Sequence, residues 1–304
     1  VKPTFEASIA DPKDVQVALH GQPLSMSFEI DPEAALLQTM LKQKIKAQGL
    51  ERQIIDAPES IYRLLISTKQ IALYKADELI TGIECSTMPE LAVGYLVEVI
   101  QKVIRWEQIN QVIPPKRTSI PIEDIHFNFT WAYPNDSSNL GSSANTIAIA
   151  EQATVNVPIE ENQYVFYRIE IENRDFHSTY FHLIHLGRKY GISQKIEQFI
   201  KPLRYEDQLI YDSKSYQKAL GINDPKLYET KDIFLLLISR DPLYAPYLFE
   251  QPGLGKHYGK IIHPKDLKAN FRGELNVEDV GATILASWFI KRLEVQLTRK
   301  NSKL

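Results

Sequence analysis

The spacing of apolar residues divides this chain into a first part with helical periods and a second part with strand periods. Up to residue 113, two segments carry apolar side chains three and four positions apart, which is the spacing of an amphipathic helix. After residue 121 the period falls to two. In residues 125–133 (IHFNFTWAY) every odd position holds a large apolar side chain, and residues 164–172 (YVFYRIEIE) continue the alternation. This second pattern predicts strands with one buried face.

Residues 1–113 are predicted to form a small α/β domain with two helices. The first helix begins at Asp31-Pro32-Glu33, an N-cap followed by proline at the first helical position, and ends at Gly49. The second begins at the capping-box pattern Thr87-Met88-Pro89-Glu90, and Pro114-Pro115 stops it. The order of elements predicts a split βαβ (ferredoxin-like) arrangement. The predicted strands are residues 15–19, 61–67, 70–74 and 79–84.

Residues 122–304 are predicted to form an antiparallel β-sandwich, which makes the whole chain α+β. Short alternating segments separated by turn-rich loops favour a sandwich over a barrel. Residues 114–121 are the predicted linker, because three prolines and a basic pair within residues 112–121 (VIPPKRTSIP) indicate a stiff, exposed connection. The further predicted strands are residues 179–186, 208–211, 233–239 and 289–298.

Composition and charge narrow the classes of partner and compartment. The chain has 304 residues and a formal net charge of −3, which gives no electrostatic reason to expect nucleic acid or an anionic membrane. Its single cysteine, Cys85, excludes an intramolecular disulfide and favours a reducing compartment such as the cytoplasm. Apolar runs of about 18 residues, the length of a membrane span, are not found in the sequence.

His20 and Cys85 are the candidates for a catalytic pair. His20-Gly21 follows a predicted strand, and a histidine beside a thiol is the arrangement of cysteine proteases. However, Cys85 lies in Ile83-Glu84-Cys85-Ser86 and lacks the Gln-Ala-Cys-x-Gly context that marks a caspase nucleophile. The favoured interpretation of Cys85 is therefore an ordinary buried cysteine.

The sequence also contains residues that could suggest a zinc site, a phosphate loop or a sugar-stacking surface, but it favours none of the three. His177, His182 and His185 lie within nine residues, but on a strand His182 and His185 point to opposite faces, so no zinc site is expected. The serine-rich residues 137–143 lack the lysine and spacing of a phosphate loop, so no cofactor is expected there. The aromatic residues of 127–131 are candidates for stacking on a sugar, although their strict alternation favours a core role.

Three segments resemble one known family. Residues 95–113 (YLVEVIQKVIRWEQINQVI) are similar to the helix that precedes the sandwich in the C-terminal regions of bacterial caspase-like cysteine proteases. Residues 165–193 and residues 231–239 (KDIFLLLIS) resemble later parts of the same region. The resemblance covers about residues 14–298 and rests on pattern and order. The family's catalytic His-Gly and Asp-x-Cys segment has no counterpart here, so no catalytic residue is carried over.

The resemblance implies a non-catalytic regulatory or target-recognition region of a bacterial caspase-like protease. Its partner would be a protein, either the catalytic domain in cis or the polypeptide to be cut. The residues leave open an independent β-sandwich module that binds carbohydrate or peptide, and a hydrolase that uses Cys85. Metal ions, cofactors, nucleic acid and membranes are not expected partners.

Overall fold

The computed structural model describes residues 23–114, 118–136, 140, 145–194, 202–222, 227–240, 251–267 and 288–300. Within them the chain is a mixed α/β protein dominated by sheets. In chain order the first elements are β1 (Leu24–Ile30), α1 (Ala35–Ala47), β2 (Ile54–Asp56), β3 (Tyr62–Ile66), β4 (Gln70–Lys75), β5 (Glu78–Glu84) and α2 (Pro89–Asn110). The later strands are β6 (Ile125–Ala132), β7 (Thr146–Ala148), β8 (Gln152–Ile159), β9 (Tyr164–Asn173), β10 (Tyr180–Leu186), β11 (Ile192–Gln194), β12 (Gln208–Asp212), β13 (Leu220–Gly221), β14 (Glu229–Ser239), β15 (Ile261–Ile262) and β16 (Trp288–Arg299).

The two helices begin and end largely where local sequence signals place them. The Asp31 side chain accepts a hydrogen bond from the Glu33 N–H at 3.0 Å and caps a short 3₁₀ turn, Pro32–Ala34, after which α1 begins at Ala35. Gly49 adopts a left-handed φ of 66° just after α1, as predicted. The predicted capping box at the start of α2 is wrong. Because Pro89 occupies the first helical position, the N-cap is Met88 and its side chain makes no capping bond. In the described part of the chain, neither helix combines the length and apolarity needed to cross a membrane.

The first sheet has six strands in the order β15-β5-β4-β3-β1-β2. β1 is parallel to both β2 and β3, whereas β3, β4 and β5 form antiparallel pairs. β1 and β2, which α1 connects, are direct neighbours, while a split βαβ unit has a strand between them. The ferredoxin-like arrangement is therefore not confirmed. The predicted strand at residues 15–19 lies outside the described residues, and β1 was not predicted.

Two further sheets face each other across an apolar core. The central sheet has the order β11-β10-β14-β16-β8, and the outer sheet has the order β12-β9-β6-β7 with β13 also paired to β9. Phe234 of the central sheet lies 6.3 Å from Phe129 and 5.2 Å from Tyr167 of the outer sheet, measured between ring centroids. The prediction of purely antiparallel strands is wrong at one place, since β8 pairs with β16 in parallel.

The central sheet is covered on both faces. Along β14, Phe234, Leu236 and Ile238 join the core between the two facing sheets. The alternate residues Ile233, Leu235 and Leu237 join a second core with α2 and the first sheet. Two-sided burial explains why residues 233–239 read as an unbroken apolar run rather than as an alternation.

The parts before and after the predicted linker are in contact. Trp106 Nε1 of α2 donates to the Gly187 carbonyl at 3.1 Å, and Arg292 of β16 donates to the Asn110 carbonyl at 2.8 Å. β15 extends the first sheet by pairing with β5 in parallel. Residues 115–117 are outside the described part, and Ile120 is buried rather than exposed. The division into 1–113, linker 114–121 and 122–304 stays a prediction, but the two sides share one core.

We predict that Trp106→Ala destabilises the whole chain. Trp106 is 8% exposed and packs edge-to-face on Tyr190, so its truncation should lower the free energy of unfolding by about 3–5 kcal/mol. Urea unfolding followed by circular dichroism measures this. Ile113→Ala is the matched control, because Ile113 is 75% exposed and should cost less than about 0.5 kcal/mol. Two separate transitions for the wild-type chain would contradict the shared core.

Candidate functional site

Cys85 lies where a nucleophile is poorly activated. The residue is 4% exposed, and its Sγ donates a weak hydrogen bond to the Ser67 carbonyl at 3.6 Å. Burial raises the pKa of the thiol, which keeps it protonated at neutral pH. His20, its predicted partner, lies outside the described residues. The geometry at Cys85 fits the interpretation of a buried structural cysteine.

The three clustered histidines are not brought together. His182 and His185 face opposite sides of the central sheet, because neighbouring residues of β10 divide between its two cores. The His177 ring is largely in solvent and pairs with Asp175, with Nδ1 and Oδ1 3.1 Å apart. His185 pairs with Asp232, with Nε2 and Oδ1 2.7 Å apart. Across the described residues, no three His, Cys, Asp or Glu side chains are grouped as metal ligands.

A cleft of about 990 Å³ opens beside His185. We call it the basic cleft. Its walls come from the start of β9, the turn at residues 187–191, residues 214–222, the start of β14 and residues 253–260.

Glycines allow two of these segments to approach closely. The Leu254 N–H donates to the Lys189 carbonyl at 2.8 Å. A Cβ atom at Gly253 would lie 2.9 Å from that same carbonyl oxygen, too close for any larger residue without a backbone shift. Gly191 packs on Gly253 in the same place. The wall formed by the turn at 187–191 and residues 253–260 is therefore fixed by main-chain contacts.

The lining of the cleft is strongly basic. It contains five cationic side chains and a single carboxylate, that of Asp232, in a chain whose net charge is −3. The cationic residues are Arg188, Lys189, Lys214, Lys256 and Lys260. A concave surface lined by one sign of charge concentrates the potential and attracts ligands of the opposite sign.

The cationic side chains of the cleft differ in whether they have an ion-pair partner. Arg188 is held, since its guanidinium pairs with Glu78 at 2.5 Å and lies 5.3 Å from the centre of the Tyr258 ring. Among the described residues, no ion pair engages the ammonium groups of the four lysines. Within the part of the chain that the structure describes, these four ammonium groups therefore have no competing carboxylate partner.

The His185–Asp232 pair is the fixed polar group of the cleft. The His185 ring stacks on Phe234 with centroids 4.7 Å apart and an interplanar angle of 19°. Asp232 contacts an edge of the imidazole ring and Phe234 covers one of its faces, so the ring has a defined orientation. Sequence reasoning missed this pair because the residues are 47 positions apart and are joined only by the pairing of β10 with β14.

Comparison with known proteins gives no family for this chain. It matches no protein-family model, and no curated protein is significantly similar to it. The resemblance to the C-terminal regions of caspase-like proteases therefore stays a prediction.

We predict that Cys85→Ala leaves any ligand binding by the chain unchanged and costs about 1 kcal/mol of stability. The wild-type thiol should react with a disulfide reagent much more slowly in the native chain than in denaturant, because it is buried and protonated. Fast native reaction, or loss of binding in Cys85→Ala, would restore the hydrolase alternative.

We also predict a pH dependence of stability that comes from His182. Burial lowers its pKa from 6.5 to about 4, so between these values the unfolded chain takes up a proton that the folded chain does not. The free energy of unfolding should therefore fall by about 3 kcal/mol as the pH falls through this window. His182→Gln should flatten the dependence in urea titrations.

Proposed function

We propose that this chain is a non-catalytic protein-binding region that holds an acidic polypeptide segment in the basic cleft. The observation that carries the proposal is the lining of five cationic side chains against one carboxylate. Four of those cations are lysines that no ion pair engages in the described part of the chain. An acidic segment would relieve the repulsion between these ammonium groups and would be attracted over a distance.

The remaining walls favour a polypeptide over a small anion. Tyr164, Phe166 and Tyr258 line the same cleft and offer apolar and amphipathic contact area. Arg188, the residue that could bind a phosphate through two parallel N–H groups, is already paired with Glu78, which leaves the lysines as point charges. A lining that combines lysines with aromatic residues suits a segment that carries both acidic and aromatic side chains.

The resemblance to caspase-like proteases supplies the biological setting of this proposal. In that setting the bound segment belongs to the protease domain in cis or to the polypeptide target, and the region regulates or recruits. A raised thiol pKa at buried Cys85 supports the non-catalytic assignment.

A second candidate function is carbohydrate binding at a different place. Phe176 is 84% exposed and stacks on Tyr205, with centroids 4.8 Å apart and rings within 11° of parallel. An exposed aromatic face of this kind is a platform for the apolar face of a sugar. Loss of glycan binding in Phe176→Ala, with no binding of acidic peptide, would favour this function.

The direct test is a titration of the full chain with a fluorescent peptide of alternating glutamate and tyrosine, followed by anisotropy. The double variant Lys256→Glu, Lys260→Glu should bind at least about tenfold more weakly, equivalent to about 1.4 kcal/mol. Wild-type binding should also weaken as salt rises from about 0.05 to about 0.5 M, because salt screens the attraction.

The matched control is Lys42→Glu, Lys46→Glu on the exposed face of α1. It changes the net charge by the same amount but lies outside the residues that line the cleft. Equal loss of affinity in both double variants would show attraction to overall charge only and would contradict a site in the cleft.

A further inference from the structure

Lys291 occupies a position where the strand pattern calls for an apolar residue. Along β16, Phe289, Leu293, Val295 and Leu297 all join the core between the central and outer sheets. Lys291 belongs to the same alternating series and is only 2% exposed. A lysine in such a place needs partners for its ammonium group.

Two main-chain carbonyls supply those partners. Lys291 Nζ donates to the Ile125 oxygen at 2.6 Å and to the Ile149 oxygen at 3.4 Å. An ammonium group has three N–H donors, and the described residues provide no third acceptor. The side chain therefore reaches from the central sheet to the outer sheet. In its neutral form the amine has two N–H groups for these two carbonyls, and its lone pair takes the remaining direction.

Lys291 is one of the residues that line a separate cavity of about 480 Å³. Its other ionisable lining groups are Glu123, His126 and Glu151, and its apolar lining includes Phe127 and Ile149. Two carboxylates disfavour an anionic occupant, whereas a small neutral carbonyl compound can bring its carbonyl carbon to the lone pair of the neutral amine. The volume falls within the range of small-molecule sites.

We propose that Lys291 is a reactive amine that binds small neutral aldehydes in this cavity and forms an imine with them. The neutral amine attacks the carbonyl carbon, forming the C–N bond. The two protons of the amine pass to the carbonyl oxygen, which leaves as water and gives the C=N bond. Glu123 and Glu151, which line the cavity and act electrostatically on Lys291, are the candidates to relay these protons.

The ionisation of Lys291 supports this chemistry. Burial lowers its pKa to about 8, against the opposing influence of Glu151 and Glu123. A larger fraction of this amine is therefore neutral, and nucleophilic, near pH 7 than for an ordinary lysine.

The test is reductive trapping on the wild-type full chain. Propanal and cyanoborohydride convert any imine to a stable secondary amine, and peptide mass spectrometry reads out each lysine. Lys231, on the neighbouring β14 and 51% exposed, is the reference within the same molecule. At pH 7 Lys291 should be modified on the order of tenfold faster than Lys231, with half-maximal rate near pH 8.

Two further experiments distinguish a reactive Lys291 amine from a Lys291 ammonium group with a purely structural role. Glu151→Gln, at an exposed residue, removes a charge that raises the Lys291 pKa, so the rate profile should shift to lower pH. The larger, anionic pyridoxal 5′-phosphate should label Lys291 no faster than Lys231. An unmodified Lys291 beside a modified Lys231, or equal rates at both, would overturn the proposal and leave Lys291 as a bridge between sheets.

Discussion

Burial of the central sheet on both faces is the constraint on which the other described parts depend. One face of β14 packs on the outer sheet and the other face packs on α2 and the first sheet. Each layer therefore covers apolar surface that would otherwise meet water, and removing one layer exposes the next. The basic cleft begins where this burial ends, because Asp232 directly precedes the first β14 residue that joins a core, Ile233.

A buried polar cluster connects α2 to the wall of the cleft. Tyr62 donates to Glu107, Lys75 donates to the same carboxylate oxygen at 2.9 Å, and the Tyr190 hydroxyl lies 3.3 Å from that of Tyr62. Burial acts to raise the pKa of Glu107, but the charge of Lys75 and the hydrogen bonds outweigh it and hold that pKa below its usual value. The carboxylate is thus charged and fully partnered, which makes the cluster specific in geometry rather than a large source of stability. Since Tyr190 belongs to the turn at residues 187–191, the cluster helps to position that wall.

Local sequence signals predicted the elements but not how they pair. Alternation identified β6, β9 and β16 to within one or two residues, and Asp31 with Gly49 marked the ends of the first helical segment. Strands β8 and β15 were not predicted. β8 does alternate, with Val155, Val157 and Ile159 buried, but this pattern was overlooked, and β15 has only two residues, too few to show a period. The basic cleft was missed for a different reason. Its lysines stand apart in the sequence, and the sheet pairing and the contacts between turns bring them together.

Net charge and local charge therefore carry different information in this chain. The net charge of −3 gave no reason to expect nucleic acid or an anionic membrane for the molecule as a whole, yet five cationic residues and one carboxylate line a single cleft. Four of the five are lysines, whose flexible side chains make point contacts and tolerate varied partners better than a fixed arginine fork does. The one arginine is held by Glu78 and Tyr258, so it shapes the wall, whereas no ion pair among the described residues engages the four lysines. A fixed arginine beside flexible lysines would suit the proposed function, in which the site recognises the charge and spacing of a polypeptide segment rather than one rigid anion.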